Sequence, residues 1–141
     1  MAEGTDAFRS ELDARRLAVV LEHVAAENAR DVDRALRTFE HPRYEIVPTG
    51  LVYDGADAVR SMLLEQWSAM PPVTYTPVSV YFGDEGIMVE TRTTGTRGDG
   101  SAIEMTSVNL FGFRRDKLVL ERCYFDQVTV AQQIGFAAQT G

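Results

Sequence analysis

Apolar positions recur at helical intervals through the early part of the chain and alternate with polar ones later, so the period of the pattern changes along the sequence. From about Ser10, Leu17, Val20, Leu21 and Val24 share one helical face, with Arg15, Arg16, Glu22 and Glu27 on the opposite face. Residues 1–9 precede this pattern and are expected to form a flexible N-terminus. Asn28-Ala29-Arg30-Asp31 interrupts the spacing, and Asp31 is placed to cap a second helix carrying Val32, Ala35, Leu36 and Phe39. The two helices are expected to pack as a hairpin. Tyr44–Val47 and Leu51–Tyr53 read as short extended pieces around a Pro48-Thr49-Gly50 turn. Val59, Met62, Leu63, Trp67 and Met70 then follow helical spacing until Pro71-Pro72 stops it.

Four strands are expected near 73–83, 86–97, 104–114 and 117–125, joined by turns at residues 83–86, 97–100 and 114–117. Short connections imply antiparallel neighbours. A short helix closes the pattern after Asp126. The fold class is therefore α+β, with about three helices on one face of a curved antiparallel or mixed sheet and a short C-terminal helix.

Composition narrows the picture. With 141 residues and 45% hydrophobic content, the chain fits one domain, placed at 10–136 with a C-terminal tail at 137–141. A net charge of −7 repels a phosphate backbone, so nucleic acid is not an expected partner. The apolar run Leu17–Leu21 is short and flanked by charges, so no membrane partner is expected and a cytoplasmic location is. Cys123 is the single cysteine, which excludes an internal disulfide and reads as a small packing residue. His23, between Glu22 and Val24, reads as a partly exposed packing residue.

The order of elements resembles the nuclear transport factor 2-like superfamily, a cone-shaped sheet wrapped around helices with a pocket inside, and more narrowly its SnoaL-like branch of polyketide and ester cyclase-like proteins. The residues that carry the resemblance are HPRYEIVPTGLVYDGADAV at 41–59, Thr94-Gly95-Thr96, and ERCYFDQVTVAQQIG at 121–135. It implies a small-molecule enzyme doing cofactor-independent acid–base chemistry, of cyclase or isomerase type, on an apolar carbonyl-containing substrate. In that branch an Asp ending the last strand, before a Gln-Leu-Gly-like helix end, is the acid–base group; Asp126 matches it, with Gln133-Ile134-Gly135 following. Where the family often has Gly-Thr-His, this chain has Gly95-Thr96-Arg97, replacing a titratable ring with a permanent cation. A homodimer is also implied. Two further readings are a non-catalytic ligand-binding or dimerisation domain, and water addition as in limonene epoxide hydrolases.

Strand alternation puts Leu118, Leu120, Arg122, Tyr124 and Asp126 on one face, taken as the pocket side, where burial would raise the pKa of Asp126. The structural alternative is that Asp126 caps the last helix. Glu90 and Arg92, two apart on a strand, share a face and resemble in reverse order the Arg and carboxylate of the epoxide hydrolases; an exposed ion pair explains them equally. His41 lies at a helix end, where an imidazole is a candidate proton shuttle. The candidate catalytic residues are thus Asp126, His41, Glu90 and Arg92, and the candidate substrate-binding residues Tyr44, Trp67, Tyr124, Arg122 and Asn109. No paired-ligand spacing points to a metal, and no cofactor is expected.

Overall fold

The computed structural model describes residues 2–134, with side chains from Arg9 onward. Gly135 of the C-terminal motif and the tail at 137–141 lie outside the described residues. Helix α1 spans Ala2–Asn28, beginning well before the helical spacing becomes legible at Ser10. It ends in a Schellman turn: Arg30 takes φ 52, its N–H donates to the Glu27 carbonyl, and the Asp31 N–H donates to that of Ala26. The left-handed backbone at Arg30 is held by its side chain. The guanidinium donates to the carbonyls of Trp67 at 2.7 Å, Met70 at 3.2 Å and Pro71 at 2.9 Å, which fixes the end of α3 against the end of α1. α2, Val32–Arg37, starts at Asp31, whose side chain accepts from the Arg34 N–H. α3, Ala56–Ala69, buries Val59, Met62, Leu63 and Trp67 as its spacing predicts.

Among the described residues, six strands form one sheet: β1 Arg43–Ile46, β2 Leu51–Asp54, β3 Val73–Phe82, β4 Gly86–Thr96, β5 Ala102–Arg114 and β6 Lys117–Phe125, in the order β2-β1-β6-β5-β4-β3. Every pairing is antiparallel except β1 with β6, which is parallel, so the sheet is mixed. α1 packs on β3, β4 and β6, α3 on β1 and β2, and the short α4, Gln127–Gln133, on β5. Helices and sheet close around a core of Val20, Val24, Phe39, Tyr44, Leu63, Trp67, Ile87, Val89, Phe111, Phe113 and Leu118.

A bulge in β6 decides which side chains face inward. Phe113 pairs with Leu118 and Gly112 with Leu120, which leaves Val119 as an extra residue. The inward face therefore changes parity along the strand: Leu118 and then Glu121 are buried, with Cys123 following Glu121. The alternation expected from sequence, Leu118 through Arg122 to Asp126 on one face, is broken at this point, and Arg122 and Tyr124 turn to the outer side.

The buried stripe of α1 is also more polar than its apolar positions suggest. Arg16, Val20, His23 and Val24 are all buried, whereas Leu21 is 48% exposed. Arg16 and Glu27, expected on the solvent face, lie inside because the curved sheet covers more of the helix circumference than a flat one would. Arg16 donates to the Arg115 carbonyl at 2.7 Å and the Asp84 carbonyl at 3.0 Å, and lies over the Phe113 ring. It thereby ties the β3–β4 and β5–β6 turns to the helix. Arg16→Met keeps much of the apolar stem but removes both charge-assisted bonds, and about 2–3 kcal/mol of stability is expected to go with them in urea denaturation.

Candidate active site

Between the helices and the inner sheet face lies a cavity of about 440 Å³, within the range of small-molecule sites. Its inner wall carries the buried residues Tyr44, Thr91, Thr93, Phe111 and Glu121, together with Glu27 of α1. Its outer edge is made by Leu51, Glu104, Asp126, Val130 of α4 and Ile134, which caps the end of that helix. α4 is pinned there by Gln133, which exchanges hydrogen bonds with the backbone N–H and carbonyl of Glu104 at 2.9 and 3.0 Å.

The inner end holds a connected polar cluster centred on His23, which is fully buried rather than partly exposed. Its Nδ1 lies 2.8 Å from the Thr38 hydroxyl, and that hydroxyl donates its own hydrogen to the Ala35 carbonyl at 2.6 Å. Nδ1 must therefore carry a hydrogen. On the other side of the ring, Nε2 lies 2.8 Å from the Tyr44 oxygen, while the Tyr44 O–H donates to Glu27 Oε1 at 2.9 Å. With Glu27 ionised, Nε2 must be protonated too, and the ring is an imidazolium. Burial opposes that charge, but Glu27 and Glu121 outweigh it and hold the His23 pKa above its usual value.

Glu121 is the second carboxylate. Its Oε1 lies 2.8 Å from His23 Nε2, whose single N–H is directed at Tyr44, so that oxygen has contact without an aligned donor. Its Oε2 accepts from Asn109 at 3.1 Å and from the Cys123 thiol at 3.3 Å. Burial pushes the Cys123 pKa well up, which keeps it a thiol and a poor nucleophile. Tyr44 is likewise pushed up by burial and by the neighbouring carboxylates, so it stays a phenol and acts as a donor.

Glu27 carries the functional consequence. Burial, and then the charge of Glu121, raise its pKa to about 7, against the pull of His23 and Tyr44 in the other direction. A carboxyl group that exchanges its proton near neutrality and lines a mostly apolar cavity is a candidate acid–base group. His23, Glu27 and Glu121 are also close enough to hold a metal ion between them. The 2.8 Å contacts and the proton count around the ring are already explained by an imidazolium.

The residues singled out from sequence separate into two groups. Tyr44, Asn109 and Asp126 line the cavity. Asp126 lies at its rim, exposed, with its carboxylate accepting from the Val128 N–H at 2.9 Å and the Thr129 hydroxyl at 2.9 Å. Those bonds lower its pKa, so the raised value expected from burial is overturned: the side chain caps α4 in water. Asp126→Ala is expected to lower the melting temperature modestly and Asp126→Asn hardly at all, because asparagine caps as well as aspartate.

The other candidates point elsewhere. Glu90 and Arg92 alternate with the inward Thr91 and Thr93, and Arg92 Nε lies 4.0 Å from Glu104 Oε1 on the outer face. Arg122 donates to Glu45 at 2.8 Å on that same side, and Tyr124 is 38% exposed. His41 is exposed and pairs with Asp54 at 2.9 Å. Trp67 is buried in the core, where its carbonyl receives Arg30. The residues that sequence reasoning passed over are His23, Glu27 and Glu121. The available signal was their spacing: Val20, His23, Val24 and Glu27 form one i, i+3, i+4, i+7 stripe, so two titratable groups lie on a face otherwise read as core.

Among solved structures, the chain is similar to a nuclear transport factor 2-like protein of unknown function from Burkholderia pseudomallei K96243, with 19% identity over 85% of this chain and 97% of that one and a TM-score of 0.75. It is also similar to a protein assigned as a SnoaL-like polyketide cyclase from Jannaschia sp. CCS1, with 17% identity over 87% and 93% and a TM-score of 0.75. A third similar structure is the epoxide hydrolase/cyclase-like enzyme SalBIII of pyran ring formation in the polyether salinomycin, with 22% identity over 82% and 94% and a TM-score of 0.69. These likenesses show the fold. No curated protein sequence matches the chain. The SnoaL-like domain family matches residues 20–121, which include His23, Glu27, Tyr44, Asn109 and Glu121, and the chain belongs to that family.

Proposed function

We propose that the cavity carries out cofactor-free acid–base chemistry on a small apolar carbonyl compound, of the cyclase or isomerase type, with Glu27 as the group that moves the proton. The single observation that supports this most is a carboxyl titrating at about 7 on the wall of a partly enclosed, largely apolar chamber. As a base, the Glu27 carboxylate takes a proton from the carbon next to the carbonyl, and the C–H electron pair moves to the carbonyl oxygen as an enolate. Thr91 and Thr93 line the cavity, and in this reading their hydroxyls donate to that oxygen. Returning the proton to a different carbon completes an isomerisation; attack of the enolate carbon on a second carbonyl, whose oxygen takes up the π electron pair and then the proton from Glu27, completes a cyclisation. Tyr44 and His23 set the proton affinity of Glu27 from behind.

The test is deuterium incorporation next to the carbonyl in a panel of apolar ketones and esters, followed by NMR in D2O. Wild-type protein is expected to accelerate exchange of at least one member, Glu27→Gln to lose about 10²-fold or more of that rate, and Asp126→Asn to keep it. Exchange no faster than in buffer across the panel, or a fully active Glu27→Gln protein, overturns the proposal.

The epoxide hydrolase reading asks Glu90 and Arg92 to converge on one water inside the cavity, and their outward direction does not support it. The outer sheet face, with Val52, Met88 and Tyr124 exposed, is where we place a second copy of the chain. Sedimentation at micromolar concentration tests that placement, and a monomer overturns it.

A further inference from the structure

The sign of the charge lining the cavity narrows the class of molecule it accepts. Glu27, Glu121 and Asp126 line it, the Glu104 carboxylate turns to Arg92 on the outer face, and no lysine, arginine or histidine lines it among the described residues. His23 lies behind Tyr44 and Glu121, fully buried, and presents no surface to a ligand. The chain as a whole carries a net charge of −7, which adds a field of the same sign. Tyr44, Tyr53, Tyr75, Phe111 and Phe125 supply ring surface around the chamber.

We propose that the cavity takes an apolar organic ammonium ion, with the charged nitrogen against Glu27 and the hydrocarbon body toward Met62, Met70 and Phe125. This rests on reading the cavity as the small-molecule site described above, and it adds the charge of the ligand. An amino ketone or amino ester would satisfy both.

The physical case is one of complementarity. An anion entering the chamber meets acidic groups without a counter-charge on the wall, in a setting where water screens poorly. A neutral molecule gains from burial alone. An ammonium gains from burial, from the aromatic faces, and from a carboxylate that the protein itself does not fully neutralise. That last point has a measurable consequence. Free Glu27 is held near neutrality because burial and Glu121 resist its ionisation, and a bound cation reverses that balance, so binding below about pH 7 releases a proton.

Three matched probes test the proposal on the full chain: cyclohexylmethylamine, cyclohexylmethanol and cyclohexanecarboxylate, measured by calorimetry at pH 6 and pH 8. The amine is expected to bind at least tenfold more tightly than the alcohol, and the carboxylate to show no binding at millimolar concentration. Repeating the amine titration at pH 6 in two buffers of different ionisation heat is expected to show net proton release. In Glu27→Gln the ratio of amine to alcohol affinity is expected to fall tenfold. Equal or tighter binding of the alcohol, an amine preference that survives in Glu27→Gln, or no binding by any of the three overturns the proposal. If Glu27→Gln does not fold, the ranking of the probes on native protein decides alone. Failure here is separable from failure of the catalytic reading: isotope exchange without amine preference removes only the ligand class, and amine preference without exchange removes only the chemistry.

Discussion

Replacing His23 with leucine is expected to destabilise the fold by about 3–5 kcal/mol at neutral pH. The volume lost is small. The damage is electrostatic: Glu121, 3% exposed, and Glu27 would be left facing one another without the imidazolium that lies 2.8 Å from the first and 3.7 Å from the second. The Tyr44 oxygen would lose its donor and the Thr38 hydroxyl its partner as well. A companion variant separates this account from simple cavity formation. Adding Glu121→Gln to His23→Leu removes one orphaned charge, and part of the lost stability is expected to return, so the two changes together cost less than the sum of the two alone. Urea denaturation at pH 7 of wild type, both single variants and the double variant gives the coupling. Strict additivity would mean that His23 acts by packing alone.

Wild-type stability is expected to fall by about 3 kcal/mol as pH rises from about 4.5 to 7 through Glu27, and Glu27→Gln is expected to remove that fall. The Glu27 pKa is raised from 4.5 to about 7, so within this window the folded chain binds the proton more readily than the unfolded chain. Stability therefore declines with rising pH, by about 1.4 kcal/mol for each pH unit between the unfolded and folded values. The raised His23 pKa acts in the same direction, its contribution being lost as pH climbs through the folded value. Asp126, Asp54 and Glu45, whose pKa values are lowered by their partners, act in the opposite direction and at lower pH. The informative quantity is thus the difference between the wild-type and Glu27→Gln stability curves from pH 5 to 8. A difference that does not change across that range would remove Glu27 as the titrating group, and with it the support for the proposed chemistry.

Much of the fold could be read from local chemistry because its boundaries are set by local chemistry. Pro71-Pro72 stops α3, Asp31 caps α2, and the connections at residues 83–86, 97–100 and 114–117 join the strands they were expected to join. The parallel pairing of β1 with β6 brings together Tyr44 and Glu121, far apart in sequence, and no local pattern encodes that neighbourhood. The site was harder to read for two physical reasons. A bulge is a property of two strands in register, so Val119 looks like any other β-branched residue until β5 is beside it. Buried titratable groups, in turn, are tolerated only as a set. His23, Glu27 and Glu121 make sense inside the fold together, whereas each one taken singly has the composition of a surface residue. Asp126 drew attention because its position at the strand end is visible in sequence, while the bonds that occupy its oxygens come from Val128 and Thr129.

The extra valine in β6 has a consequence for the charge of the chamber. A strand of strict alternation could keep either Leu118 against the helices or Glu121 beside His23, but not both, since the two differ by an odd number of positions. Deleting Val119 would leave Leu118 opposite Phe113, Leu120 opposite Gly112 and Glu121 opposite Phe111 in an unbroken ladder, so Leu118 and Glu121 would both stay inward. Pairing β6 to β5 without the bulge while keeping every residue would instead carry Arg122 inward in place of Glu121, so register and not chain length sets the sign of the charge beside His23.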